Sequence, residues 1–270
     1  MEVVGSRAVA EAEIGVIGNG KEVNPLEGSE PVEIETPYGK PSAPIEIGEI
    51  DGKRIAFLLR RGKDRDIAPP QVPNRANVWA LRELGVRRIV GVGACGALRM
   101  EFELGDLVVF DQFVDRTWGR DDSFYLGHGT KLVSEAEPFC RDLGKTLVAT
   151  ARELDLPIHP HGTVVVIQGP RFATRAESEL FRMIGWDFVD MITYPECHLA
   201  RELELCYAHV AMVTDFDVGV VGAGAVTGAA IARVFAQKRE RLLALLNAVL
   251  PQIGPQPQDE CATALALAEV

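Results

Sequence analysis

The chain lacks a long apolar run, an excess of positive charge and a recognisable targeting segment. No hydrophobic run approaches the ~20 residues that a membrane-spanning helix needs. The first residues are mixed and acidic, without the apolar core of a secretory signal. The net charge of −11 argues against nonspecific binding to nucleic acid or to an anionic membrane. We therefore expect a cytoplasmic protein that binds neither.

Cysteine is also scarce, and its spacing excludes the usual metal motifs. The five cysteines form no CxxC pair and no zinc-type His/Cys pattern. An odd number of cysteines in a chain of this size is typical of free thiols in a reducing cytoplasm. We expect each of them to be a core residue and expect neither a metal site nor a cofactor. The five are Cys95, Cys140, Cys197, Cys206 and Cys261.

The length and composition favour a single domain over the whole chain, residues 1–270. The 270 residues are 47% hydrophobic, which is ample for one full core. No Pro/Ser-rich linker and no internal repeat divides the sequence. Residues 252–270, rich in proline and glutamine and then in alanine, are predicted to be a tail or a terminal helix that docks on a neighbour.

Short β-branched runs alternate with helical patterns along the chain. This alternation predicts a three-layer αβα sandwich with a central mixed sheet. Helices are predicted where apolar residues recur at helical spacing, over residues 74–84, 141–154 and 225–249. Strands are predicted over residues 12–17, 54–59, 88–93, 106–110, 163–167 and 207–213.

The strand predicted over 207–213 runs directly into two carboxylates, Asp215 and Asp217. The carboxyl ends of strands in an α/β sheet face the usual ligand crevice. Carboxylates there accept hydrogen bonds from an exocyclic amine and share a proton with a ring nitrogen. The alternative is structural, with one residue as a helix N-cap and the other as a solvated carboxylate. The motifs around the pair favour the functional interpretation.

Those motifs recur over residues 13–253 and carry a resemblance. They are the segments 36–42, 76–81, 93–96, 111–117, 168–172 and 191–196, the last reading Met-Ile-Thr-Tyr-Pro-Glu. In order and spacing the chain resembles the purine nucleoside phosphorylase superfamily, most of all its 5'-methylthioadenosine phosphorylase branch. The resemblance implies the nucleoside phosphorylase-like sandwich and a homotrimer with active sites at subunit interfaces. It also implies cleavage of the bond between a purine and ribose C1', with phosphate as the nucleophile.

The resemblance also implies roles for particular residues. Asp215 would face N7 and N6 of the base as the acid, and Asp217 would support it. Phe172 would pack on the purine and Met191 against the ribose, although ordinary core packing is the alternative for both. The other substrate-binding candidates are Gly93 and Ala94 at a strand end, Gly228 and Ile231 at the 5' pocket, and Glu196, which either reaches the ribose or caps a helix.

The implied phosphate site departs from the family pattern. Arg60 is kept, but Arg61 stands where the family has histidine. Gly20, Gly93 and Ile192 stand where the family has a threonine or serine hydroxyl. Each neutral hydrogen bond lost costs about 0.5–1.5 kcal/mol, and Ile192 would desolvate an anion without replacing its partner.

Several interpretations of this altered site stay open. Gly20, Arg60 and Arg61 are the candidate anion-binding residues. Because the hydroxyl donors are missing, we favour water as the nucleophile and hence a nucleosidase that releases adenine from an adenine nucleoside. In the alternative, Arg61 compensates and the enzyme is a phosphate-dependent phosphorylase. The basic cluster of Lys21, Arg60, Arg61, Lys63 and Arg65 could instead bind a phosphate carried by a nucleotide substrate. The chain could also be a noncatalytic binder of adenine nucleosides.

Overall fold

The apolar runs of the sequence form one mixed β-sheet with helices on both faces. The computed structural model describes residues 12–127, 129–220, 222, 224–254, 260–266 and 268. The strands among these residues are β1 (Ile14–Gly18), β2 (Glu30–Val32), β3 (Ile45–Ile50), β4 (Lys53–Leu59), β5 (Arg88–Ala97), β6 (Leu107–Val109), β7 (Gln112–Arg116), β8 (Ile158–His159), β9 (Thr163–Ile167), β10 (Phe188–Asp190) and β11 (Cys206–Phe216).

The helices connect these strands across the two faces of the sheet. They are α1 (Asn74–Glu83), α2 (Arg141–Glu153), α3 (Arg175–Ile184), α4 (Thr193–Glu202) and α5 (Gly228–Val249). Short 3-10 helices span Lys21–Val23, Pro69–Gln71, Leu250–Gln252 and Glu260–Thr263. None of the described helices combines the length and the apolar character that crossing a bilayer requires.

The sheet branches at β5. The first half of β5 lies between β1 and β11, both parallel to it, with Ile89 opposite Gly15 and Tyr207. Its last residues pair antiparallel with β10, where Gly96 lies opposite Val189. From β5 the sheet continues through β1, β4, β3 and β2, through β10, β9 and β7, and through β11, β6 and β8. This branching brings the carboxyl ends of β5, β10 and β11 together.

Two large apolar cores cover opposite faces of the sheet. One contains Leu81 of α1 and Leu199 of α4. The other contains Leu147 of α2 and Leu246 of α5. Burial of one such leucine stabilises the fold by about 1.5–3 kcal/mol. The three-layer αβα sandwich with a mixed sheet, expected from the sequence, is thereby confirmed.

The described C-terminal residues pack against the rest of the chain. Cys261 and Ala268 are both buried, and the Leu132 N–H donates to the Ala268 carbonyl at 2.9 Å. The thiol sulfur of Cys261 lies within 4.8 Å of those of Cys140 and Cys206. Within 252–270, where the sequence predicts a tail, the described part thus contacts the start of α2 and of β11.

Candidate functional site

A cavity of about 310 Å3 opens where the carboxyl ends of β5, β10 and β11 meet. Its walls come from segments that are far apart in sequence, since the strand ends, the loop before α3 and the start of α5 all contribute. Eight of the twelve candidate residues given a role in the sequence analysis line it, and so does Ile192. The eight are Arg61, Ala94, Phe172, Met191, Asp215, Asp217, Gly228 and Ile231.

Asp215 lies at a bulge near the end of β11, where the register with β5 shifts. The Thr214 hydroxyl donates to its Oδ2 at 2.9 Å. Its Oδ1 lies so close to Gly96 that a Cβ atom there would approach it to 2.8 Å. Burial raises the pKa of Asp215 to about 6, helped by the charge of Asp217 and opposed by the Thr214 hydrogen bond. Near neutral pH this carboxyl group can therefore both hold and release a proton.

Asp217 is fixed more firmly to the scaffold. Its backbone N–H donates to the Ala97 carbonyl at 3.0 Å, which ties it to the end of β5. Burial raises its pKa, while the Ser178 hydroxyl and the Val218 N–H stabilise the ionised form. Its Oδ2 is buried and has no hydrogen-bond partner among the described residues. The pair thus places two carboxyl groups with raised pKa values in the wall of the cavity.

Most of the remaining wall of the cavity is apolar. Phe172 and Met191 are half-buried and leave part of each side chain facing the cavity. Ile231 and Phe235 contribute from the first turns of α5, with Gly228 at the start of that helix. A flat, apolar ligand with a polar edge directed at Asp215 and Asp217 fits this distribution.

Arg60 lies behind the cavity wall and is fully buried. Its Nε and Nη2 donate to the two carboxylate oxygens of Glu196 at 2.6 and 2.8 Å. The remaining N–H groups donate to Asn19 Oδ1 at 2.8 Å, Val92 O at 2.9 Å and Ile17 O at 2.9 Å. All five guanidinium N–H groups therefore have protein acceptors. Of the residues that supply these acceptors, only Asn19 lines the cavity.

Glu196 is the partner that holds Arg60, and it does not line the cavity. It is fully buried, and the Tyr207 hydroxyl donates to its Oε1 at 2.6 Å. Burial lowers the pKa of Arg60, but the charge of Glu196 and its hydrogen bonds outweigh this and raise it. The buried Arg60–Glu196 ion pair thus has a structural role behind the cavity wall.

Gly20 and Gly93 also lie outside the cavity lining. A Cβ atom at Gly93 would lie 2.7 Å from Ile192 Cδ1 and 2.8 Å from His209 Nε2, so these side chains occupy the space beside it. A Cβ atom at Gly20 would overlap the side chains of Arg65 and Glu22, which form an ion pair there.

Positive charge reaches the cavity through Arg61 and Arg65. Arg61 Nε donates to the Ile67 carbonyl at 2.7 Å, and Arg65 Nε donates to the Asn19 carbonyl at 2.8 Å. Burial and, more weakly, the charge of Arg60 lower the pKa of Arg61. Of the three candidate anion-binding residues, only Arg61 borders the cavity.

Comparison with known proteins accounts for this arrangement. The sequence matches the profile of the Phosphorylase superfamily over residues 13–251. The chain belongs to this superfamily. Within it, the chain falls in the methylthioadenosine phosphorylase branch of the purine nucleoside phosphorylases, and it is an enzyme of the nucleoside phosphorylase family.

Similar proteins in this superfamily cover almost the whole chain. It is 46% identical to the S-methyl-5'-thioadenosine phosphorylase of Pyrococcus horikoshii, over 93% of this chain and 97% of the relative. It is 40% identical to the 6-oxopurine nucleoside phosphorylase of Pyrococcus furiosus, over 92% and 95%. The methylthioadenosine phosphorylase of Schistosoma mansoni in complex with adenine superposes with a TM-score of 0.89 at 33% identity, covering 95% of this chain and 96% of that one.

Further cavity residues of this phosphorylase-superfamily enzyme are not among the site residues predicted from the sequence: Asn19, Cys95, Gly96, Thr214 and Asp190. Arg65, which also lines the cavity, belongs to the basic cluster identified in the sequence. Asp190 ends the short strand β10, next to Met191. Burial raises its pKa to about 6, opposed by hydrogen bonds from Thr193 and the backbone. In the sequence, only the position of Asp190 directly before the Met-Ile-Thr motif indicates that it belongs to the site.

Proposed function

We propose that this enzyme cleaves the N-glycosidic bond of an adenine nucleoside and releases adenine, with inorganic phosphate as the acceptor of the ribosyl group. The observation that carries the proposal is the pair Asp215 and Asp217, which lies on a largely apolar cavity of about 310 Å3 with pKa values raised by burial. The names of the relatives, most of them methylthioadenosine phosphorylases, support the same activity.

The chemistry of the leaving group explains why a carboxyl pair suits this reaction. As the glycosidic bond breaks, the purine gains electrons and N7 becomes basic. A carboxyl group with a pKa of about 6 retains a protonated fraction near neutral pH and can donate that proton. The ionised form of Asp217 accepts a hydrogen bond from an exocyclic amine at C6, which a 6-aminopurine supplies and a 6-oxopurine does not. The reaction then forms a bond between a phosphate oxygen and C1'.

We favour phosphate over water as the nucleophile, although the sequence alone favours water. The relatives that span the chain are named phosphorylases, which supports phosphate better than hydrolysis. Arg61 and Arg65 bring two guanidinium groups to the cavity, and guanidinium binds phosphate in bidentate fashion. We propose that Arg61 supplies the contacts that Arg60, bonded to Glu196 and to backbone carbonyls, does not.

Hydrolysis remains as a second candidate because of two observations. All five N–H groups of Arg60 already have acceptors. Ile192 lines the cavity and fills space beside Gly93, so it presents an apolar surface where a hydroxyl donor is expected. Water, unlike phosphate, does not require these donors.

The wall near α5 supports an apolar 5' substituent on the nucleoside. Ile231 and Phe235 line it, and Gly228 leaves open space. A methylthio group would bury its surface there, whereas a 5'-phosphate would lose its hydration without a partner. We further propose a homotrimer, as the sequence resemblance implies, and a reaction without a metal or cofactor.

Adenine release tests the proposal. The protein is incubated in phosphate buffer with methylthioadenosine, adenosine or AMP, and adenine is quantified by chromatography. We expect release from methylthioadenosine to be fastest and release from AMP to be slowest. Tight binding of the nucleosides without any adenine release would contradict the proposal and indicate a noncatalytic binder.

A further inference from the structure

Three cysteine side chains meet at the end of β11 that is remote from the cavity. The sulfur atoms of Cys140, Cys206 and Cys261 all lie within 4.8 Å of one another, and the three residues are buried. Cys206 is the first residue of β11, whereas Asp215 lies near its last. A strand rises about 3.3 Å per residue, which places these two residues roughly 30 Å apart. The cysteine cluster is therefore separate from the site of the proposed reaction.

Two of these cysteines are held by the core of the fold. Cys140 is the N-cap of α2, where its sulfur accepts a hydrogen bond from the Leu143 N–H at 3.3 Å. The backbone N–H of Cys140 donates to the Tyr207 carbonyl at 2.8 Å, which ties the start of α2 to β11. The Cys206 N–H donates to the Arg87 carbonyl at 3.0 Å. A helix and a central strand thus fix the positions of two sulfur atoms.

The third sulfur atom comes from the described C-terminal segment. Cys261 lies in the 3-10 helix Glu260–Thr263, where it is 5% exposed while the other residues with it in the first turn are exposed. Hydrogen bonds with Cys140 and Cys206, together with burial, raise the pKa of its thiol, so the three side chains touch. A short surface segment of this kind opens locally at a low cost in free energy. Such opening gives an ion access to the cluster.

A buried guanidinium group lies beside the cluster. Arg88 is 2% exposed and forms an ion pair with Asp142 of α2. Burial lowers the pKa of Arg88, but the hydrogen bond with Asp142 and the charges of Cys206 and Cys140 outweigh this and raise it. The guanidinium group is therefore close enough to offset negative charge on both sulfur atoms. The N-terminus of α2 favours a thiolate at Cys140 in the same way.

The spacing of the sulfur atoms suits one soft metal ion. Thiolates bind Zn²⁺ at about 2.3 Å, so three of them around one ion lie about 3.8–4.0 Å from one another. Because the separations in the cluster do not exceed 4.8 Å, small side-chain rotations are enough to reach this geometry. Thiolate ligands select Zn²⁺ and Cu⁺ over hard cations such as Mg²⁺ and Ca²⁺.

We propose that Cys140, Cys206 and Cys261 bind one thiophilic metal ion of the Zn²⁺ or Cu⁺ type, which fastens the C-terminal segment to α2 and β11. The ion displaces the three thiol protons, which pass to the solvent. It stabilises the fold and takes no part in the cleavage of the nucleoside. The sequence shows no metal motif because the three ligands lie far apart along the chain.

Metal titration of the full chain, without an affinity tag, tests this assignment. The protein is reduced, freed of metal with a chelator and titrated anaerobically with Zn²⁺ in one arm and with Cu⁺ in the other. Bound metal is measured by elemental analysis after gel filtration, and melting temperatures are measured in parallel. Cys261→Ala removes one ligand from the surface segment. Cys197→Ala, at a buried cysteine outside the cluster, is the matched control.

We expect the wild-type protein and Cys197→Ala to retain one ion per chain and to melt at a higher temperature when the ion is present. Cys261→Ala should bind the ion more weakly by more than the roughly 10- to 100-fold that loss of an outer-sphere contact costs. Its melting temperature should not respond to the ion. The arm with the tighter binding identifies the metal.

Three results would overturn the proposal. The wild-type protein could retain neither ion, or Cys261→Ala could retain as much metal as the wild type. Protein that is alkylated during isolation and analysed by mass spectrometry could instead contain a disulfide bond within the cluster, which would remove two of the thiolate ligands. None of these results bears on the cleavage of the glycosidic bond, so the proposed function is tested separately.

Discussion

Asp215 lies at a bulge near the end of β11, where it pairs with Gly96 of β5, and it lines the cavity there. The Thr214 hydroxyl binds one of its oxygens, and Gly96 leaves room for the other. Burial then raises the pKa of the group to about 6. One residue thereby combines position, exposure to the ligand and a suitable acidity.

The substitution Asp215→Asn should reduce kcat for adenine release by about 10²- to 10⁴-fold, the usual contribution of a general acid. The amide keeps the shape of the side chain but cannot donate a proton to the leaving base. Initial rates with methylthioadenosine measure the effect. Asp121→Asn, the same change at an exposed site, is the control and should leave the rate unaltered. A comparable rate in Asp215→Asn would remove this residue from the mechanism.

Arg61 allows a prediction about the anion. Arg61→Ala should raise the KM for phosphate by about 10- to 100-fold, because a hydrogen bond to a charged group contributes about 1.5–3 kcal/mol. Lys63→Ala removes a nearby exposed charge that does not line the cavity and should have little effect. Steady-state rates over a range of phosphate concentrations distinguish the two. An unchanged KM in Arg61→Ala would show that the anion binds elsewhere or not at all.

The sequence predicts some of these residues well and others poorly, for a physical reason. Asp215 and Asp217 are detectable because a buried strand leads straight into them. The environment of Arg60 cannot be read from the sequence, because its partner Glu196 is 136 residues away along the chain. Asp190 is a single acid at the end of a three-residue strand, and its position on the cavity becomes evident only in the folded structure.

At the scale of elements, α3 connects the loop that carries Phe172 to the acid pair. Thr174 and Glu177 form a capping box at its start, with hydrogen bonds of 3.2 and 2.7 Å. Arg171 binds Glu177 through two contacts of 2.7 Å and joins the loop to the first turn. The next residue is Ser178, whose hydroxyl accepts a hydrogen bond at 2.9 Å from the N–H of Gly219, two residues after Asp217.

The substitution Thr174→Ala should lower the free energy of unfolding by about 1 kcal/mol, the usual effect of removing an N-cap hydroxyl. Thr174→Ser retains the hydroxyl and should lose much less. Urea denaturation of both variants measures the difference, with the free energies of unfolding derived from a common m-value. If the two variants proved equally stable, the capping box would not stabilise this helix.

Apolar elements are predicted more reliably from the sequence than very short or more polar ones. Residues 163–167 are predicted and observed as a strand, and the prediction over 141–154 differs from α2 by one residue. No strand is predicted at β2, β3, β7, β8 or β10. Three of these, β2, β8 and β10, have only two or three residues, too few for a period-2 pattern, while β3 and β7 include charged residues. No helix is predicted at α3 or at α4, which contains the non-helical residue Tyr194 followed by Pro195.

For the whole molecule, His198 should make stability depend on pH. It lies between Glu135 Oε1 at 2.6 Å and Glu202 Oε1 at 3.4 Å and so ties α4 to the segment before α2. Burial opposes its charge, but the hydrogen bonds and charges of the two carboxylates outweigh this and raise its pKa to about 9. The folded state therefore holds a proton that the unfolded state releases near pH 6.5.

This contribution is fully present below about pH 6.5 and is lost as the pH rises through about 9. In His198→Gln the decline in the free energy of unfolding between these values should be shallower than in the wild type. Chemical denaturation at several pH values provides the measurement, and His161→Gln, at an exposed histidine, is the control. An unaltered pH dependence in His198→Gln would mean that this contact does not link protonation to folding.

The central claim, that phosphate attacks the ribosyl carbon while Asp215 assists the departure of adenine, is tested most directly by one assay. Adenine release from methylthioadenosine is measured against phosphate concentration, and the sugar product is identified by phosphorus NMR. The account predicts a rate that rises and saturates with phosphate, with one pentose 1-phosphate formed for each adenine. Full-rate release without phosphate, with an unphosphorylated sugar as the product, would contradict it and identify water as the nucleophile.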